Sequence, residues 1–342
     1  MIDSIEQIAK QLVRPGKGIL AADESIRTAN KRLKERGISE NEEMRRLWRQ
    51  LLFTTEGIEA GLSGIILYDE TIRQSDDSGT PFVEILKTKG IITGIKVDEG
   101  TEKIEGLDGE MYTKGLDGLR ERLVEYRERG AKFTKWRGVF SINTEAQLPT
   151  QEAIDVNAEI FAEYALVCQE EGFVPIVEPE VLLKGTHTID ECAEATERVL
   201  AGVFQALKDK GVNLQGMILK TGMVLPGSES KQMVSSSEIA QATVRVLQAV
   251  VPQEVAGVVF LSGGQTSIQA TENLNELSKL ETPWPLTFSY SRALQTPVMD
   301  AWGGKDENVL KAQEIFKGRV DATVAALSGT YERNMEPEGV VE

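Results

Sequence analysis

Eight short apolar segments recur along the 342-residue chain, and each is followed by a stretch with helical spacing. The segments are rich in Val, Ile and Leu without strict alternation, which is typical of parallel strands buried on both faces. We predict strands at 17–23, 63–69, 92–98, 132–140, 174–180, 215–223, 257–263 and 286–292. The patterns between them predict helices, including 41–60, 152–171 and 191–210.

Eight strand–helix units fit a single (β/α)8 TIM barrel of the α/β class. The main alternative is an open doubly wound sheet, but no G-x-G-x-x-G motif follows the first strand. We therefore predict one barrel domain over residues 1–342. Within it, we expect residues 102–119 to form a loop with turns and about 332–342 to form a mobile C-terminal tail.

The charge balance disfavours several classes of partner. The chain has 38 basic and 54 acidic residues and a net charge of −16, so we expect no nucleic acid and no membrane surface as partner. No apolar run reaches the roughly 18–20 residues that span a bilayer. The first residues have no apolar signal core. We predict a cytoplasmic protein, with a cleaved plastid transit peptide left open.

The counts of histidine and cysteine restrict the chemistry further. His187, expected in a loop, is the single histidine, so a zinc site built mainly from imidazoles is excluded. Cys168 and Cys192 are too few for a disulfide framework, and we predict unreactive buried thiols, with a disulfide between them as the alternative. We expect no metal and no cofactor. Any reaction must therefore use Lys, Asp, Glu, Arg or Ser.

Polar residues lie at or just after the ends of nearly all the predicted strands. In a barrel these ends converge on one face, and an ionised group there is costly to bury unless it is paired. The pattern predicts a pocket with several cations, several carboxylates and no imidazole. Its members are Asp23, Asp69, Lys96, Lys135, Arg137, Glu178, Glu180, Lys220, Ser262 and Arg292.

Lys220 lies inside the apolar segment GMILKTGM. One interpretation is a lysine that extends from a strand end to solvent, and the other is an amine that forms a Schiff base with a carbonyl. A free lysine is almost entirely protonated at neutral pH, so the second interpretation requires burial and a nearby cation. Lys135, two strands earlier, is the candidate cation. Two inward-facing lysines indicate imine chemistry.

Three carboxylates are candidates for proton transfer. Glu178 and Glu180 flank Pro179, and the period of two in a strand puts both on one face. We predict that one is a general acid/base and the other a partner of Arg or Lys. Asp23, in LAADES, fits either a helix N-cap or a catalytic group.

Two groups of residues suit phosphate. Residues 262–264, in FLSGGQTS, predict a backbone N–H nest before a helix, and Arg292 follows one strand later. This arrangement matches the phosphate site that barrels form after strands seven and eight. A second candidate site across the mouth contains Ser25, Thr28 and Lys96. Two phosphate sites beside a lysine pair predict a bisphosphorylated sugar.

The chain resembles class I, Schiff-base-forming fructose-1,6-bisphosphate aldolases from about residue 16 to about residue 331. The shared motifs, in family order, are GKGILAADES, GIILYDET, TGIKVDEG, KFTKWRGV, PIVEPEVL, MILKTGMV, FLSGGQ and FSYSRALQ. The resemblance implies a metal-independent lyase that cleaves fructose 1,6-bisphosphate to dihydroxyacetone phosphate and glyceraldehyde 3-phosphate. Sedoheptulose 1,7-bisphosphate is a second candidate substrate. The resemblance also suggests a homotetramer.

The resemblance implies a role at each matching position. Lys220 would form the imine, and Glu178 would be the acid/base of the carbinolamine. Asp23 would take the proton of the 4-hydroxyl. Lys135 and Glu180 would tune Glu178, with Arg137 close by. The residues implied at the phosphates are Ser262, Gly263, Gly264, Ser291 and Arg292 for the 1-phosphate, Ser25, Thr28 and Lys96 for the 6-phosphate, and Lys31 and Arg32 as a basic pair.

Three departures from the family pattern stand out. Thr221 follows the lysine where proline is usual, and Thr28 replaces a second serine. Animal members end in a tyrosine that helps protonate the enamine, whereas the last tyrosine here is Tyr331. We predict that Glu178 or Tyr331 supplies this proton.

Two rival functions are weighed against the aldolase. A transaldolase-like transferase is disfavoured by the two candidate phosphate sites. A noncatalytic scaffold with a sugar-phosphate pocket is disfavoured because Lys220, Lys135, Glu178 and Asp23 are all intact.

Overall fold

The computed structural model describes residues 3–340. The strands are β1 Gly18–Ala22, β2 Leu62–Leu67, β3 Ile92–Lys96, β4 Thr101–Lys103, β5 Met111–Thr113, β6 Phe133–Phe140, β7 Val174–Val181, β8 Ile218–Thr221, β9 Val258–Phe260 and β10 Leu286–Tyr290. Eight of them are parallel and close into a barrel in the order β1-β2-β3-β6-β7-β8-β9-β10, and β4 and β5 form a two-stranded antiparallel sheet outside it.

Helices surround the barrel and connect its strands. They are α1 Ile5–Leu12, α2 Ile26–Lys34, α3 Glu42–Thr54, α4 Asp69–Ile72, α5 Phe82–Thr88, α6 Leu119–Glu128, α7 Gln151–Glu170, α8 Ile189–Asp209, α9 Ser236–Val250, α10 Ser267–Leu277, α11 Arg292–Trp302 and α12 Val309–Ala326. Short 3-10 turns occur at Ile58–Ala60, Leu214–Gly216, Asp306–Asn308 and Arg333–Met335. No helix in this described part of the chain is both long and apolar enough to cross a bilayer.

The predicted (β/α)8 barrel is confirmed, and all eight predicted strands are present with slightly different bounds. Two details of the prediction are wrong. The helix predicted at 41–60 ends at Thr54, because Thr55 has an extended backbone and Gly57 has φ +77°. The segment 102–119 is more than a loop, since β4 and β5 pair within it as a hairpin.

The amino-terminal end of the barrel is closed by α1. Its apolar side contributes Ile8 and Leu12 to a buried cluster that continues through the lower barrel to Phe133. The cluster contains apolar residues from most of the barrel strands, so this end is a dry core. Sealing one end leaves the carboxyl end of the strands as the accessible mouth.

Hydroxyl caps fix where several helices begin at the mouth. Thr188, Ser235 and Thr266 each accept a hydrogen bond from the third residue of the helix that follows, and each helix completes a capping box. Each such cap contributes about 1 kcal/mol to stability. The loops that carry the strand-end residues are thereby anchored at their helix ends.

The segment predicted as a tail contacts the barrel helices at three or more of its described residues, and Arg333 pairs with Glu272 of α10 at 2.5 Å. Glu336 pairs with Arg319 of α12, and Pro337 packs beside Gly318 of the same helix. Mobility of residues 332–342 stays a prediction, and the last two of these residues lie outside the described part of the chain.

Candidate active site

A buried carboxylate at the barrel mouth lies between two lysines, one from each of the strands that flank its own. Glu178 on β7 places Oε1 3.1 Å from Nζ of Lys220 on β8 and Oε2 3.3 Å from Nζ of Lys135 on β6. All three side chains are nine-tenths or more buried. Within residues 3–340, Oε2 of Glu178 forms an ion pair with Lys135 but accepts no hydrogen bond of good geometry.

Two aspartates complete the cluster. Asp23, just after β1, places Oδ2 2.7 Å from Nζ of Lys135. Asp98, just after β3, lies 4.0 Å from the same nitrogen and 2.6 Å from Nζ of Lys96. Three lysines and three carboxylates therefore balance in charge at the centre of the mouth, as buried charges require.

Charge determines the protonation of these carboxylates. Burial would raise the pKa of the Glu178 carboxyl, but the positive charges of Lys135, Lys220 and Arg137 outweigh burial and lower it. Burial would likewise raise the pKa of the Asp23 carboxyl, but the positive charges of Lys135 and Lys220 outweigh burial and lower it. Burial would lower the pKa of Lys135, yet the carboxylates around it raise it. Asp23 and Glu178 are therefore ionised at neutral pH, with Lys135 as their fixed cation.

The alternation of a strand explains why these residues face the mouth together. On β6, Lys135 and Arg137 are two residues apart, as are Glu178 and Glu180 on β7. Arg137 lies opposite Glu178 in the strand register and donates through Nε to Glu180. The predicted division of the two glutamates between an acid/base candidate and an arginine partner matches this geometry.

Asp98 is a site residue that the sequence analysis missed. Its backbone position is two residues after Lys96, so the same period of two that relates Glu178 and Glu180 also relates this pair. Asp98 accepts a hydrogen bond from the backbone N–H of Arg137 at 3.3 Å. It thereby connects the segment after β3 to the middle of β6.

The residues predicted to bind the 1-phosphate lie on the rim of the mouth, just after β9 and β10. Ser262 is buried and accepts a hydrogen bond from the backbone N–H of Ala293 at 3.4 Å. Gly264 has φ +74°, as a nest requires, and a Cβ on Gly263 would lie 3.0 Å from Glu180. The rim therefore adjoins the ion pair of Glu180 and Arg137.

Two guanidinium groups converge on this rim. Arg32 on α2 donates to Ser291 Oγ at 3.1 Å. Desolvation and the positive charge of Arg32 lower the pKa of the Arg292 guanidinium. Arg292 thus places a desolvated cation beside the backbone nest, an arrangement that suits an anion, whereas Arg32 already pairs with Glu24.

Glu24 is a second residue that the sequence analysis missed. Its buried carboxylate accepts hydrogen bonds from Ser291 Oγ at 2.7 Å and Gln295 Nε2 at 3.0 Å, and it pairs with Arg32 and Arg49. The partners lower the pKa of Glu24 against the opposing effect of burial. Glu24 follows Asp23 directly, which is the only sequence signal for it.

The residues proposed for the second phosphate are spread more widely. Ser25 caps α2 through the N–H of Thr28, and its Oγ donates to Thr28 Oγ1 at 3.2 Å. Lys31 is exposed and lies 3.9 Å from Glu35. Lys96 is bound to Asp98, and no hydrogen bond joins it to Ser25 or Thr28 within the described residues.

Two of the expectations about strand ends are corrected. The N-cap interpretation of Asp23 is wrong, because Ser25 caps α2 while Asp23 pairs with Lys135. Asp69 is not part of the cluster. It begins α4 and accepts hydrogen bonds from Arg73 at 2.6 Å and Tyr126 at 2.9 Å.

The remaining singled-out residues lie away from the lysines. Cys168 and Cys192 are buried and unpaired, as predicted, and burial raises the pKa of Cys168 to about 12. His187 lies in a loop, also as predicted, and is buried. The hydroxyl of Tyr331 donates to Glu336 at 2.6 Å. Among residues 3–340, no group of three or more His, Cys, Asp or Glu side chains is arranged to hold a metal ion.

Comparisons with known proteins agree with this geometry. A protein-family model described as fructose-bisphosphate aldolase class-I matches residues 4–341. The chain is 50% identical to fructose-bisphosphate aldolase 6, cytosolic, of Arabidopsis thaliana, over 99% of this chain and 95% of the relative. It is 46% identical to human fructose-bisphosphate aldolase C, over 98% and 92% of the two chains.

A solved structure gives the same result for the fold. The structure of Plasmodium falciparum fructose-bisphosphate aldolase, in complex with TRAP and a small-molecule inhibitor, has a TM-score of 0.95 and 45% identity. The match covers 96% of this chain and 95% of that chain. With a family model over nearly the whole length and relatives at about half identity, this chain belongs to the class I fructose-bisphosphate aldolases, lyases that work through a Schiff base without a metal.

Proposed function

We propose that Lys220 is the Schiff-base lysine of this aldolase and that Glu178 performs its proton transfers. The observation that carries the proposal is the Glu178 carboxylate, which is buried between Lys220 and Lys135 at 3.1 and 3.3 Å. A nucleophilic amine needs an adjacent base, and the amine and carboxylate here are within hydrogen-bond distance.

Imine formation begins when Glu178 accepts a proton from the Lys220 ammonium. The neutral amine attacks C2 of the sugar phosphate and forms a carbinolamine. Glu178 then returns a proton to the departing hydroxyl, which leaves as water and gives the iminium. Lys135, with its raised pKa, stays charged and holds Glu178 between the two steps.

Carbon–carbon cleavage needs a second base. Asp23 takes the proton of the 4-hydroxyl, the C3–C4 bond breaks, and the electron pair moves into the iminium to give an enamine. Asp23 suits this role because its lowered pKa keeps it ionised and Lys135 fixes it at 2.7 Å. Glyceraldehyde 3-phosphate is the first product.

Protonation of the enamine and hydrolysis of the imine release dihydroxyacetone phosphate. Of the two predicted donors, Glu178 is favoured, because it lies beside Lys220 while the Tyr331 hydroxyl is bound to Glu336. Glu178 has by then returned its first proton to the departing water, so after glyceraldehyde 3-phosphate leaves it takes up a new proton from solvent and delivers it to C3 of the enamine. Asp23 releases to solvent the proton that it took from the 4-hydroxyl, which balances the cycle. Arg137 and Glu180 hold the region beside it through their ion pair.

The two phosphates are assigned to opposite sides of the lysines. Ser262, Gly263 and Gly264 offer the 1-phosphate a backbone nest, with Ser291, Arg292 and Arg32 beside it. The other phosphate is assigned to Ser25, Thr28 and Lys96, with Lys31 on the adjacent exposed face of α2. Sedoheptulose 1,7-bisphosphate, one hydroxymethylene longer, is the second candidate substrate.

Assembly and location follow the relatives. Two of the similar plant enzymes are named cytosolic or cytoplasmic, and we assign this chain to the cytoplasm. We propose a homotetramer on the family resemblance, and the native mass in solution tests this assignment.

Borohydride trapping tests the function. Dihydroxyacetone phosphate and borohydride are added, and the digested protein is analysed by peptide mass spectrometry. We expect a reduced adduct on Lys220, no adduct in Lys220→Met, and an unchanged adduct in Lys208→Met, whose lysine is exposed on α8. Cleavage of fructose 1,6-bisphosphate should persist in EDTA. Absence of the adduct, or activity abolished by EDTA, would contradict the proposal.

A further inference from the structure

One arginine lies entirely inside the protein, between the two helices that begin at the phosphate rim. The side chain of Arg319, on α12, is 0% exposed. Its Nε donates to the carbonyl oxygen of Ala293 at 3.2 Å. Its Nη2 donates to the carbonyl oxygen of Ser267 at 3.1 Å and to Thr271 Oγ1 at 2.8 Å. A single guanidinium thus connects the first turns of α10 and α11.

These first turns continue directly from the groups assigned to the 1-phosphate. Ala293 follows Arg292, and Ser267 begins the helix after the 262–264 nest. The nest and the start of α11 share one direct hydrogen bond, from the N–H of Ala293 to Ser262, and it is long at 3.4 Å. Beyond the pairing of β9 with β10 in the barrel, Arg319 therefore links the two helices that follow the nest and Ser291.

The charge of Arg319 is balanced by the C-terminal segment. Nη1 donates to both carboxylate oxygens of Glu336, whose side chain is 6% exposed. Tyr331 donates to the same carboxylate at 2.6 Å. A buried guanidinium that loses its carboxylate must rearrange or admit water, so Glu336 keeps Arg319 in its position.

A second contact seats the segment independently of charge. Pro337 packs against α12 beside Gly318, where a Cβ would lie 2.5 Å from Pro337 Cγ. The segment reaches the helix this closely because position 318 has no side chain. Glycine in a helix interior is less favourable than alanine, and here it makes room for the contact.

We infer that Glu336 is a positioning residue for the 1-phosphate site. It acts through Arg319, which helps set the distance between the 262–264 nest and Arg292. The inference rests on the proposed function, because it assigns this rim to the phosphate of the ketone that Lys220 binds. It adds the C-terminal segment as a determinant of how tightly that phosphate is held.

The test compares two ketones that differ only in the phosphate. Borohydride trapping on Lys220 is measured as a function of dihydroxyacetone phosphate or of dihydroxyacetone. In Glu336→Gln, we expect the half-saturating concentration of the phosphorylated ketone to rise on the order of tenfold, as for a binding group displaced by a fraction of an ångström. The value for dihydroxyacetone should not change.

Two variants complete the design. Glu336→Asp keeps the charge and should restore part of the affinity for the phosphorylated ketone. Glu338→Gln removes an exposed charge from the same segment and should leave the half-saturating concentrations of both ketones unchanged. The KM for fructose 1,6-bisphosphate should follow the phosphorylated ketone, with kcat close to that of the parent.

Three results decide the outcome. An equal change in half-saturating concentration for both ketones, or no change for either, would overturn the inference.

Where Glu336→Gln does not fold, Gly318→Ala is used in its place. It displaces Pro337 and leaves both charges in place, and its half-saturating concentrations are measured with the same two ketones. Absence of any adduct in the parent protein would refute the proposed function and is thereby separate from failure of this inference.

Discussion

The two ends of the barrel interior are built from the same strands and have opposite chemistry. At the amino-terminal end, β6 and β7 contribute Phe133 and Ile176 to an apolar cluster closed by α1. At the carboxyl end, two residues further along the same strands, they contribute Lys135 and Glu178 to a network of buried charges. The first end gains stability from each side chain separately, whereas the second is stable only as a balanced set.

This difference separates stability from activity within one barrel. An apolar residue lost from the lower end costs burial and leaves a cavity, but the mouth keeps its charges. A charge lost from the mouth leaves an unpaired partner in a buried site and removes a reacting group. The following predictions test that separation, beginning with the largest expected effect.

Glu178→Gln should remove activity and leave most of the fold. Loss of the shared acid/base is expected to lower kcat on the order of 10²–10⁴-fold. Steady-state cleavage of fructose 1,6-bisphosphate and circular dichroism measure the two consequences. Glu152→Gln, on the exposed face of α7, is the control and should change neither. A Glu178→Gln enzyme with kcat near that of the parent would disprove the assigned role.

Phe133→Ala should lower the stability of the fold and leave the activity of the folded enzyme unchanged. Phe133 is fully buried in the lower cluster, and its truncation is expected to cost about 3–5 kcal/mol of unfolding free energy. Urea denaturation measures this cost, and kcat of the remaining folded enzyme should stay near that of the parent. Val124→Ala, at a half-exposed position on α6, provides a small-effect comparison. Loss of kcat without loss of stability would contradict the separation.

Arg292→Met should weaken substrate binding more than chemistry. A hydrogen bond to a charged group contributes about 1.5–3 kcal/mol, so KM for fructose 1,6-bisphosphate should rise roughly 10–100-fold. Trapping of dihydroxyacetone, which has no phosphate, should stay at the parent level. Arg14→Met, an exposed arginine at the closed end, is the control. An unchanged KM would remove Arg292 from the phosphate site.

Acid should destabilise the mouth selectively. The pKa values of Asp23 and Glu178 are lowered on folding, from ordinary values of 3.8 and 4.5. Their contribution to stability is therefore complete above those ordinary values and is lost as the pH falls through the lowered ones. Urea denaturation between neutral pH and pH 3 should show this decline. Glu178→Gln should show a shallower decline, and parallel curves for the two proteins would contradict it.

The fold could be predicted because strands buried on both faces give continuous apolar segments. The same reasoning missed the β4-β5 hairpin, since all three side chains of β4 are exposed and give no such segment. It also extended a helix through residues 55–60, where Gly57 in a left-handed conformation ends the pattern.

The site could be predicted where charge lies inside an apolar segment. Lys135, Glu178 and Lys220 all have this signal, and the structure places them together. Glu24 lacks it, because two of the side chains that bury it, Ser291 and Gln295, are more than 260 positions away. Only the closed barrel brings these groups to one carboxylate.

The lower barrel also determines how the sequence can change. The ring of Phe133 fills the space where a Cβ on Gly94 would lie, at 2.3 Å, and the ring of Phe288 does the same for Gly18 at 2.5 Å. A larger residue at one of these glycines needs a smaller ring at the same time, so the inherited unit of variation here is a pair of positions. Homologues are expected to keep both members or to exchange both, whereas single exchanges remain open at exposed helix positions such as Glu152.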